Sequence, residues 1–460
     1  MTTYTSVTDS DRNEMLRAIG VESIEDLFAD IPAALRLNRP LALDDGLAEQ
    51  EVFEELRALA ARNVSTDDEL SFVGAGMYDH YIPALVDSII LRSEFLTPYT
   101  PYQPEISQGG LQAMFEYQTA ISELTALPVS NASVYEGPSA VAAAGYVAKL
   151  TNGRRRFVVS RAVHPHSREA LGTLAHAWGM ELAEAPLVDG VTDLPALDQD
   201  VSAVVVQQPN FLGAVEDLAA LAEPARQAGA LTICACDPLP LALLRPPGEC
   251  GVDIAVGEGQ TLGNRLDFGG PSFGFFAATE ALMRQMPGRI AGETRDLDGK
   301  RGFVLTLQTR EQHIRREKAT SNICTAQALN ALAGVIYLSW LGRRGIVELA
   351  ELMLQRTAYA RQRVSEIPGV RLHNEQPVVR EFALRLDAPV DRVIARCREE
   401  GLNPGYALAR DYPELKDGLL VAITERRTRA DIDRLAEVLG EAVGAERATG
   451  ERRALEGAPA

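Results

Sequence analysis

The sequence predicts an α/β protein with three parts: a large domain built on a mostly parallel sheet, a small C-terminal α+β domain and a helical N-terminal arm. Short apolar runs of strand length alternate with helical patterns in the middle of the chain, which indicates βα units and a parallel sheet covered by helices. The last 90 residues follow the order strand, helix, strand, helix. The first 65 residues contain helical patterns but no strand pattern.

Residues 1–65 are predicted to form the arm. Thr8 caps a first helix that extends through Ile19 and ends at Gly20. A second, short helix is expected at Glu22–Phe28, and an amphipathic helix covers Leu47–Ala61. Because no strand pattern is present to enclose a core, we interpret this stretch as an arm rather than a domain.

Residues 66–325 are predicted to form the large domain. From about Ser71 to Leu111 the pattern is irregular and rich in proline and tyrosine, and Thr97–Gly109 cannot be regular helix. A long loop of this kind is typically functional or disordered, and its aromatic content favours order. A helix is expected over Leu111–Leu127. The predicted strands are Phe157–Ser160, Glu181–Leu187, Val201–Val206, Leu231–Cys236 and Asp253–Val256.

Residues 326–370 are predicted as long connecting helices and residues 371–445 as the small domain. We expect the two connecting helices to cover Ala326–Leu341 and Gly345–Ile367. In the small domain, we expect strands at Glu381–Leu386 and Gly418–Thr424 and helices at Pro389–Glu399 and Thr428–Val443. Residues 446–460 are predicted to be a disordered tail.

The composition is that of a globular protein and argues against several functions. Of the 460 residues, 46% are apolar and 24% are charged, which is too apolar for a disordered chain. The 45 basic and 64 acidic residues give a net charge of −19, which disfavours binding to nucleic acid or to an anionic membrane surface. Five scattered cysteines, no apolar run of membrane-spanning length and no signal-peptide pattern lead us to expect a cytoplasmic protein.

Two possible cofactor patterns are weak. Gly74-Ala75-Gly76 begins like a dinucleotide-binding turn, but the third glycine is missing and no helix pattern opens after it. His164 and His166 are not accompanied by a cluster of carboxylates or cysteines, so no metal site is predicted.

A better match is the order of features in pyridoxal phosphate (PLP) enzymes of fold type I, the aspartate-aminotransferase-like fold. In that class a turn of small residues at a helix N-terminus holds the phosphate, and a flat side chain stacks on the ring. An aspartate pairs with the pyridine nitrogen, and a lysine forms the Schiff base. The candidates here are Ser133 and Gly137 in the turn, His164 as the stacking residue and Asp237 at the end of a strand.

The lysine of this pattern is missing. Gln260 and Thr261 occupy the region after Asp237 where the lysine is expected, and neither an amide nor a hydroxyl can form an imine. None of the four lysines lies at the expected distance along the chain; they are Lys149, Lys300, Lys318 and Lys416. The sequence therefore has the outline of a PLP enzyme without its covalent anchor.

Several stretches together resemble the glycine cleavage system P-protein family. They are Tyr78–Pro83, Glu94–Thr119, Ser160–Pro165, Val256–Asn264 and Phe303–Thr325. The similarity covers nearly the whole chain, but the length matches only the N-terminal half of the fused enzyme. The resemblance therefore implies subunit 1, the α subunit, of the split form of that enzyme.

The resemblance also implies an activity and partners. The split enzyme would be a glycine dehydrogenase (decarboxylating) with PLP on a lysine of subunit 2, and the two subunits would form an α2β2 heterotetramer. It would decarboxylate glycine and pass the aminomethyl group to the lipoyl arm of the H-protein. The vestigial PLP-site positions of this chain would then be Ser133, Gly137, His164, Asp237 and Gln260.

Three hypotheses for this chain stay open at this point. In the first, Thr97–Gly109 extends across the subunit interface to the partner's active site, and Glu105 orients the glycine amine. The trans-interface candidates are Tyr99, Tyr102, Gln103, Glu105, Ser107 and Gln108. In the second, these residues only brace the interface, where tyrosine is common, and the chain is a non-catalytic scaffold or regulatory pseudoenzyme. In the third, the chain is an autonomous PLP enzyme that uses Lys318.

Overall fold

The chain folds into two compact units, Met1–Val64 and Ser65–Ala460. The computed structural model describes residues 6–96, 99–319, 321, 323–324 and 326–456. In the first unit, helix α1 spans Asp9–Ile19 and helix α2 spans Glu49–Ala60. Thr8 and Asp11 form a capping box at the start of α1, and no described residue of this unit is buried.

The strands of the second unit are mostly short, and several are pairs of residues at domain edges. In chain order they are β1 Leu70–Ser71, β2 Val129–Ser130, β3 Arg156–Ser160, β4 Glu181–Ala185, β5 Leu187–Val188, β6 Val191–Thr192, β7 Val201–Gln208, β8 Leu231–Cys236, β9 Ile254–Glu258, β10 Gly274–Ala278, β11 Ile290–Arg295, β12 Arg301–Thr306, β13 Val370–Leu372, β14 Glu381–Leu386, β15 Leu402–Asn403, β16 Tyr406–Ala407 and β17 Gly418–Ala422.

The helices of the second unit include one long connection between its two domains. In chain order they are α3 Ala84–Ile90, α4 Ser93–Leu96, α5 Gln108–Thr125, α6 Gly137–Asn152, α7 Pro165–Ala177, α8 Leu218–Ala228, α9 Gln312–Arg315, α10 Ala328–Ser365, α11 Val390–Glu399 and α12 Arg429–Glu456.

A seven-stranded sheet forms the centre of the large domain, in the order β2-β10-β9-β8-β7-β3-β4. Strands β9, β8, β7, β3 and β4 are parallel, and β10 is antiparallel to both of its neighbours. Alternate residues of β7 face opposite sides: Val204 and Val206 contribute to the core with α5, α8 and α10, whereas Ala203 and Val205 contribute to the core with α6 and α7. The predicted α/β class with a mostly parallel sheet is confirmed.

The small domain is built on an antiparallel sheet in the order β13-β14-β17-β16. Helices α11 and α12 contribute Val393, Cys397 and Ile432 to its core. The connecting helix α10 is kinked at Gly342, whose positive φ of 61° interrupts the helical backbone between the two predicted helices.

Three features differ from the sequence-based expectations. β10 and the β11–β12 hairpin were not expected as strands. β1 pairs with β15, so residues 70–71 lie on the small domain although they precede the large one. Helix α12 continues to Glu456, so residues 446–456 are helical rather than a disordered tail; alanine, glutamate and arginine, which have high helix propensity, dominate this stretch. Residues 457–460 lie outside the described part of the chain.

Candidate functional site

A cavity of about 380 Å³ lies where β7, β8 and β9 end, at the edge at which open α/β sheets bind ligands. The loop before α3 and the starts of α6, α7 and β14 also contribute to its lining. Of the predicted positions, Gly137, His164 and Asp237 line this cavity. Ser133 and Gln260 are not among the described residues that line it, although Thr261, next to Gln260, is.

The N-terminus of α6 is capped by two carboxylates. Glu136 is the N-cap residue, and its Oε1 accepts a hydrogen bond of 3.0 Å from the backbone N–H of Ser139. Glu258, the last residue of β9, accepts one of 3.0 Å from the backbone N–H of Gly137. Burial raises the pKa of Glu258, and hydrogen bonds from Gly137 and Ser272 oppose that rise. The backbone donors that would hold an anion at this helix start are thus already bound to carboxylates.

His164 is held in one neutral form. Its ring Nε2 donates to the carbonyl oxygen of Ala75 at 3.0 Å, and its Nδ1 accepts from the backbone N–H of His166 at 3.1 Å. Burial lowers the pKa of His164 to about 4. The ring is edge-on to Phe211, with centroids 5.0 Å apart. His164 therefore lines the cavity as a neutral side chain that is fixed by two hydrogen bonds.

Asp237 is ion-paired with Arg380, which comes from the small domain. Arg380 is 2% exposed, its Nη1 contacts the Nε2 of His80, and its guanidinium carbon lies 3.4 Å from the ring centroid of Tyr78. Burial raises the pKa of Asp237, and the charge of Arg380 opposes this. The carboxylate that would face a pyridine nitrogen is thus engaged by an internal cation.

Glu381, next to Arg380, links the small domain to the loop before α3. Its Oε1 accepts from the backbone N–H of Ala75 at 2.7 Å, and its Oε2 accepts from the hydroxyl of Tyr78 at 2.7 Å. Burial raises the pKa of Glu381 to about 7.

Gln260, at the position expected for lysine, is fixed by backbone groups. Its Oε1 accepts from the N–H of Tyr78 at 2.9 Å, and its Nε2 donates to the carbonyl oxygens of Tyr78 and Asn264 at 3.1 and 2.9 Å. The side chain is 1% exposed. It serves a structural purpose, and none of the four lysines is among the described residues that line the cavity.

These residues do not fit PLP. The phosphate end carries two carboxylates, the aspartate is paired with an arginine, and the lysine position holds an amide engaged by three backbone groups. We therefore derive no reaction step through a cofactor bound in this chain.

Ser133 lies elsewhere in the fold. It has a positive φ of 101°, its N–H donates to Oδ1 of Asn131, and its hydroxyl accepts from the N–H of Gln327 before α10. It stabilises the connection between domains rather than the start of α6.

The trans-interface candidates form a separate group on the loop before α5. Tyr99 and Ser107 line both of two further cavities, of about 550 and 610 Å³, and Tyr102 and Gln103 line the second of them. Tyr99 is 80% exposed, and the side chains of Gln103 and Glu105 are exposed as well. Thr97 and Pro98, the start of the predicted segment, lie outside the described residues.

Two members of this group have structural partners within the chain. Gln108 donates to the carbonyl oxygen of Phe303 at 2.8 Å and accepts from the N–H of the same residue at 2.8 Å, which fixes the start of α5 to β12. The hydroxyl of Tyr102 accepts from Nη2 of Arg289 at 3.0 Å.

Sequence reasoning missed the carboxylates and the arginine that define the cavity. Glu136 had a readable signal, since Glu-Gly-Pro-Ser is an N-cap residue followed by proline in the first turn. Arg380 and Glu381 had none, because only the folding of the small domain onto the large one brings them to Asp237.

Over the described residues, we find no cluster of three or more histidine, cysteine or acidic side chains suited to a metal ion. The helices described here also include none with the length and apolar character required to cross a membrane.

Comparisons with known proteins place this geometry in a family. The family model for the glycine cleavage system P-protein matches residues 2–439. The probable glycine dehydrogenase (decarboxylating) subunit 1 of Geobacillus thermodenitrificans is 49% identical over 442 residues, which cover 95% of this chain and 98% of that protein. The protein of the same name from Moorella thermoacetica is 50% identical over 441 residues, covering 95% of this chain and 99% of that one.

Solved structures agree with the sequence comparison. A crystal structure of glycine decarboxylase (P-protein) of the glycine cleavage system, in inhibitor-bound form, is 45% identical with a TM-score of 0.88, covering 96% of this chain and 100% of that one. A sphingosine-1-phosphate lyase from Burkholderia pseudomallei shares the fold alone, at 18% identity and a TM-score of 0.65, over 92% of this chain and 97% of that one. The resemblance seen in the sequence is confirmed: the chain belongs to the glycine cleavage system P-protein family.

Proposed function

We propose that this chain is subunit 1 of a two-subunit glycine dehydrogenase (decarboxylating) of the glycine cleavage system. The observation that carries the proposal is a cavity of the PLP-enzyme fold whose lysine position holds the backbone-bound Gln260. The near-complete coverage of relatives named as subunit 1 supports the same function. The enzyme uses PLP, and an amide cannot hold it covalently.

The cofactor and the other partners are therefore assigned to the assembly rather than to this chain. PLP is bound to a lysine of subunit 2, in an α2β2 heterotetramer. That assembly decarboxylates glycine and transfers the aminomethyl group to the lipoyl arm of the H-protein. The PLP chemistry takes place in the partner subunit, and this chain contributes surface and side chains to it.

The loop before α5 is the part of this chain that we assign to the partner's active site. Gln108 and Tyr102 anchor the loop to β12 and to Arg289, which leaves Tyr99, Gln103 and Glu105 to present polar groups to a partner. Ser107 is half-buried and lies in the sequence between the exposed Glu105 and the anchored Gln108. A carboxylate on a loop anchored at both sides can orient an amine with little loss of backbone entropy.

The experiment is glycine–bicarbonate exchange, measured for each subunit alone and for the co-expressed pair. We expect exchange only in the pair, with PLP trapped by borohydride on the partner. Exchange by this chain alone would contradict the proposal and favour Lys318 as an unexpected anchor.

A loop variant separates a contribution to the active site from bracing of the interface. Glu105→Gln should lower kcat/KM for glycine by about tenfold or more, because it removes a charge that faces the amine in the transition state, and the heterotetramer should remain intact. Glu441→Gln on the exposed face of α12 is the matched control. An intact assembly with unchanged exchange in Glu105→Gln would show that this carboxylate only braces the interface.

A further inference from the structure

The cavity at the strand ends is open and has a polar lining. It has a volume of about 380 Å³, and Thr261, which is 2% exposed, lines it with an Oγ1 that has no hydrogen-bond partner. Arg380 also lines it, and its Nε has no partner either. In an ordinary hydrophobic core, apolar side chains would fill this space and the buried polar groups would have hydrogen-bond partners. The cavity thus retains the character of a ligand site.

The end of the cavity where a PLP phosphate would bind carries negative charge. A helix N-terminus attracts anions through its free N–H groups and its dipole. Here Glu136 accepts from the N–H of Ser139 and Glu258 accepts from the N–H of Gly137, both at 3.0 Å. The Ser139 hydroxyl also bonds to Glu136. The two carboxylates supply the negative charge that the helix start would otherwise draw from a ligand.

Close packing fixes one of these carboxylates in place. A Cβ on Gly137 would lie 3.2 Å from the Cβ and the backbone nitrogen of Glu258, so the start of α6 abuts the end of β9. Oε1 of Glu258 accepts in addition from the N–H of Gln260 at 3.1 Å. An incoming phosphate would have to displace these bonds and lie beside like charges in a partly buried site, where Coulomb repulsion is strong.

We propose that Glu136 and Glu258 act as internal anions that close this cavity to PLP, so that the cofactor is excluded from this subunit by charge and not only by the lack of a lysine. The inference rests on the proposed function only in naming PLP as the excluded ligand. Without the two carboxylates, the start of α6 would be a binding site for anions in general. Binding of inorganic phosphate to the isolated full-length chain therefore tests the proposal.

The first test measures binding of inorganic phosphate and of PLP by calorimetry to the chain with Glu136→Ser and Glu258→Ser together. Serine keeps a cap at the helix start but removes both charges. We expect both ligands to bind at least about tenfold more tightly than to the unsubstituted chain. The control is Glu437→Gln with Glu441→Gln, which removes two exposed charges from α12. Equal affinity of the serine pair and the unsubstituted chain would overturn the proposal.

A glutamine pair at the same two positions provides a second test in case the serine pair does not fold. Glu136→Gln with Glu258→Gln keeps hydrogen-bond acceptors of the same shape and removes only charge. If the serine pair fails to fold, the same gain in phosphate affinity is expected from the glutamine pair, and its absence would overturn the proposal.

A lysine variant separates exclusion by charge from simple lack of an anchor. If the missing lysine alone kept PLP out, Gln260→Lys would bind it covalently. We expect borohydride trapping to find PLP on the introduced lysine only when the serine pair is also present. Equal labelling with and without the serine pair would contradict the role of the carboxylates. These readouts do not involve glycine exchange, so their failure would leave the proposed function intact.

Discussion

At the scale of single residues, Glu381 shows burial and hydrogen bonding acting on one carboxyl in opposite directions. Burial raises its pKa to about 7, while the N–H of Ala75 and the hydroxyl of Tyr78 favour the ionised form. Because the folded chain holds this proton more tightly than the unfolded chain does, the stability that it contributes is fully present below the unfolded pKa. That contribution is lost as the pH rises through about 7.

Glu381→Gln should therefore change the pH profile of stability. Relative to the unsubstituted chain, the variant should gain up to about 3 kcal/mol of unfolding free energy between about pH 4.5 and about pH 7.5, because it has no proton to lose. Urea unfolding at intervals across this range measures the difference, and Glu441→Gln serves as an exposed control. A difference that does not change with pH would mean that the carboxyl of Glu381 is already ionised in the folded chain at low pH.

At the scale of elements, the turn after β7 is pressed against the first residue of β14. Gly213 has a φ of +90°, and a Cβ there would lie 1.9 Å from the carbonyl oxygen of Glu381. The large and the small domain meet here backbone to backbone, and only glycine permits both the conformation and the approach.

Gly213→Ala should destabilise the chain by about 3 kcal/mol or more, since strain and a backbone clash add. Gly172→Ala in α7 is the control, because its Cβ would meet only Leu182 at 3.9 Å, and alanine is the better helix former. Thermal unfolding of the two variants gives the comparison. Similar melting temperatures would show that the turn can move away from β14.

The elements that the sequence predicts well are those with one dominant pattern. β3, β7 and β8 are continuous buried runs rich in valine, isoleucine and small residues, and their bounds are close to those predicted. The hairpin of β11 and β12 was missed because each strand contains a glycine and charged residues, Glu293 and Arg295 in β11 and Arg301 in β12, and because its burial pattern is mixed. In the cavity, Asp237 and His164 could be predicted because they follow strands, whereas Arg380 reaches Asp237 only through the packing of two domains.

At the scale of the whole molecule, buried charges join the loop before α3 to the segment between β17 and α12. Asp79 pairs with both Arg426 and Arg427, and the side chains of Asp79 and Arg427 are 10% and 7% exposed. Next to it, Nδ1 of His80 lies 2.7 Å from Oε2 of Glu425. This network lies beside the Arg380–Asp237 pair, to which His80 connects it.

Asp79→Asn should destabilise the second unit by about 3–5 kcal/mol, because it leaves Arg427 buried without its counter-charge. Asp67→Asn is the control: Asp67 lies 3.7 Å from Arg426 but is 87% exposed, and such pairs contribute about 1 kcal/mol at most. Denaturant unfolding of the full chain measures both changes. Equal stability of the two variants would indicate that water reaches Arg427.

The two carboxylates at the start of α6 can also be recognised from the sequence alone. One is the glutamate directly before Gly137-Pro138, and the other is the glutamate two positions before Gln260. A genome survey could sort the two halves of such enzymes, split or fused, by these acidic positions as well as by the lysine. A half that had lost its lysine but carried neutral residues at both places would be the natural starting point for engineering a second cofactor site.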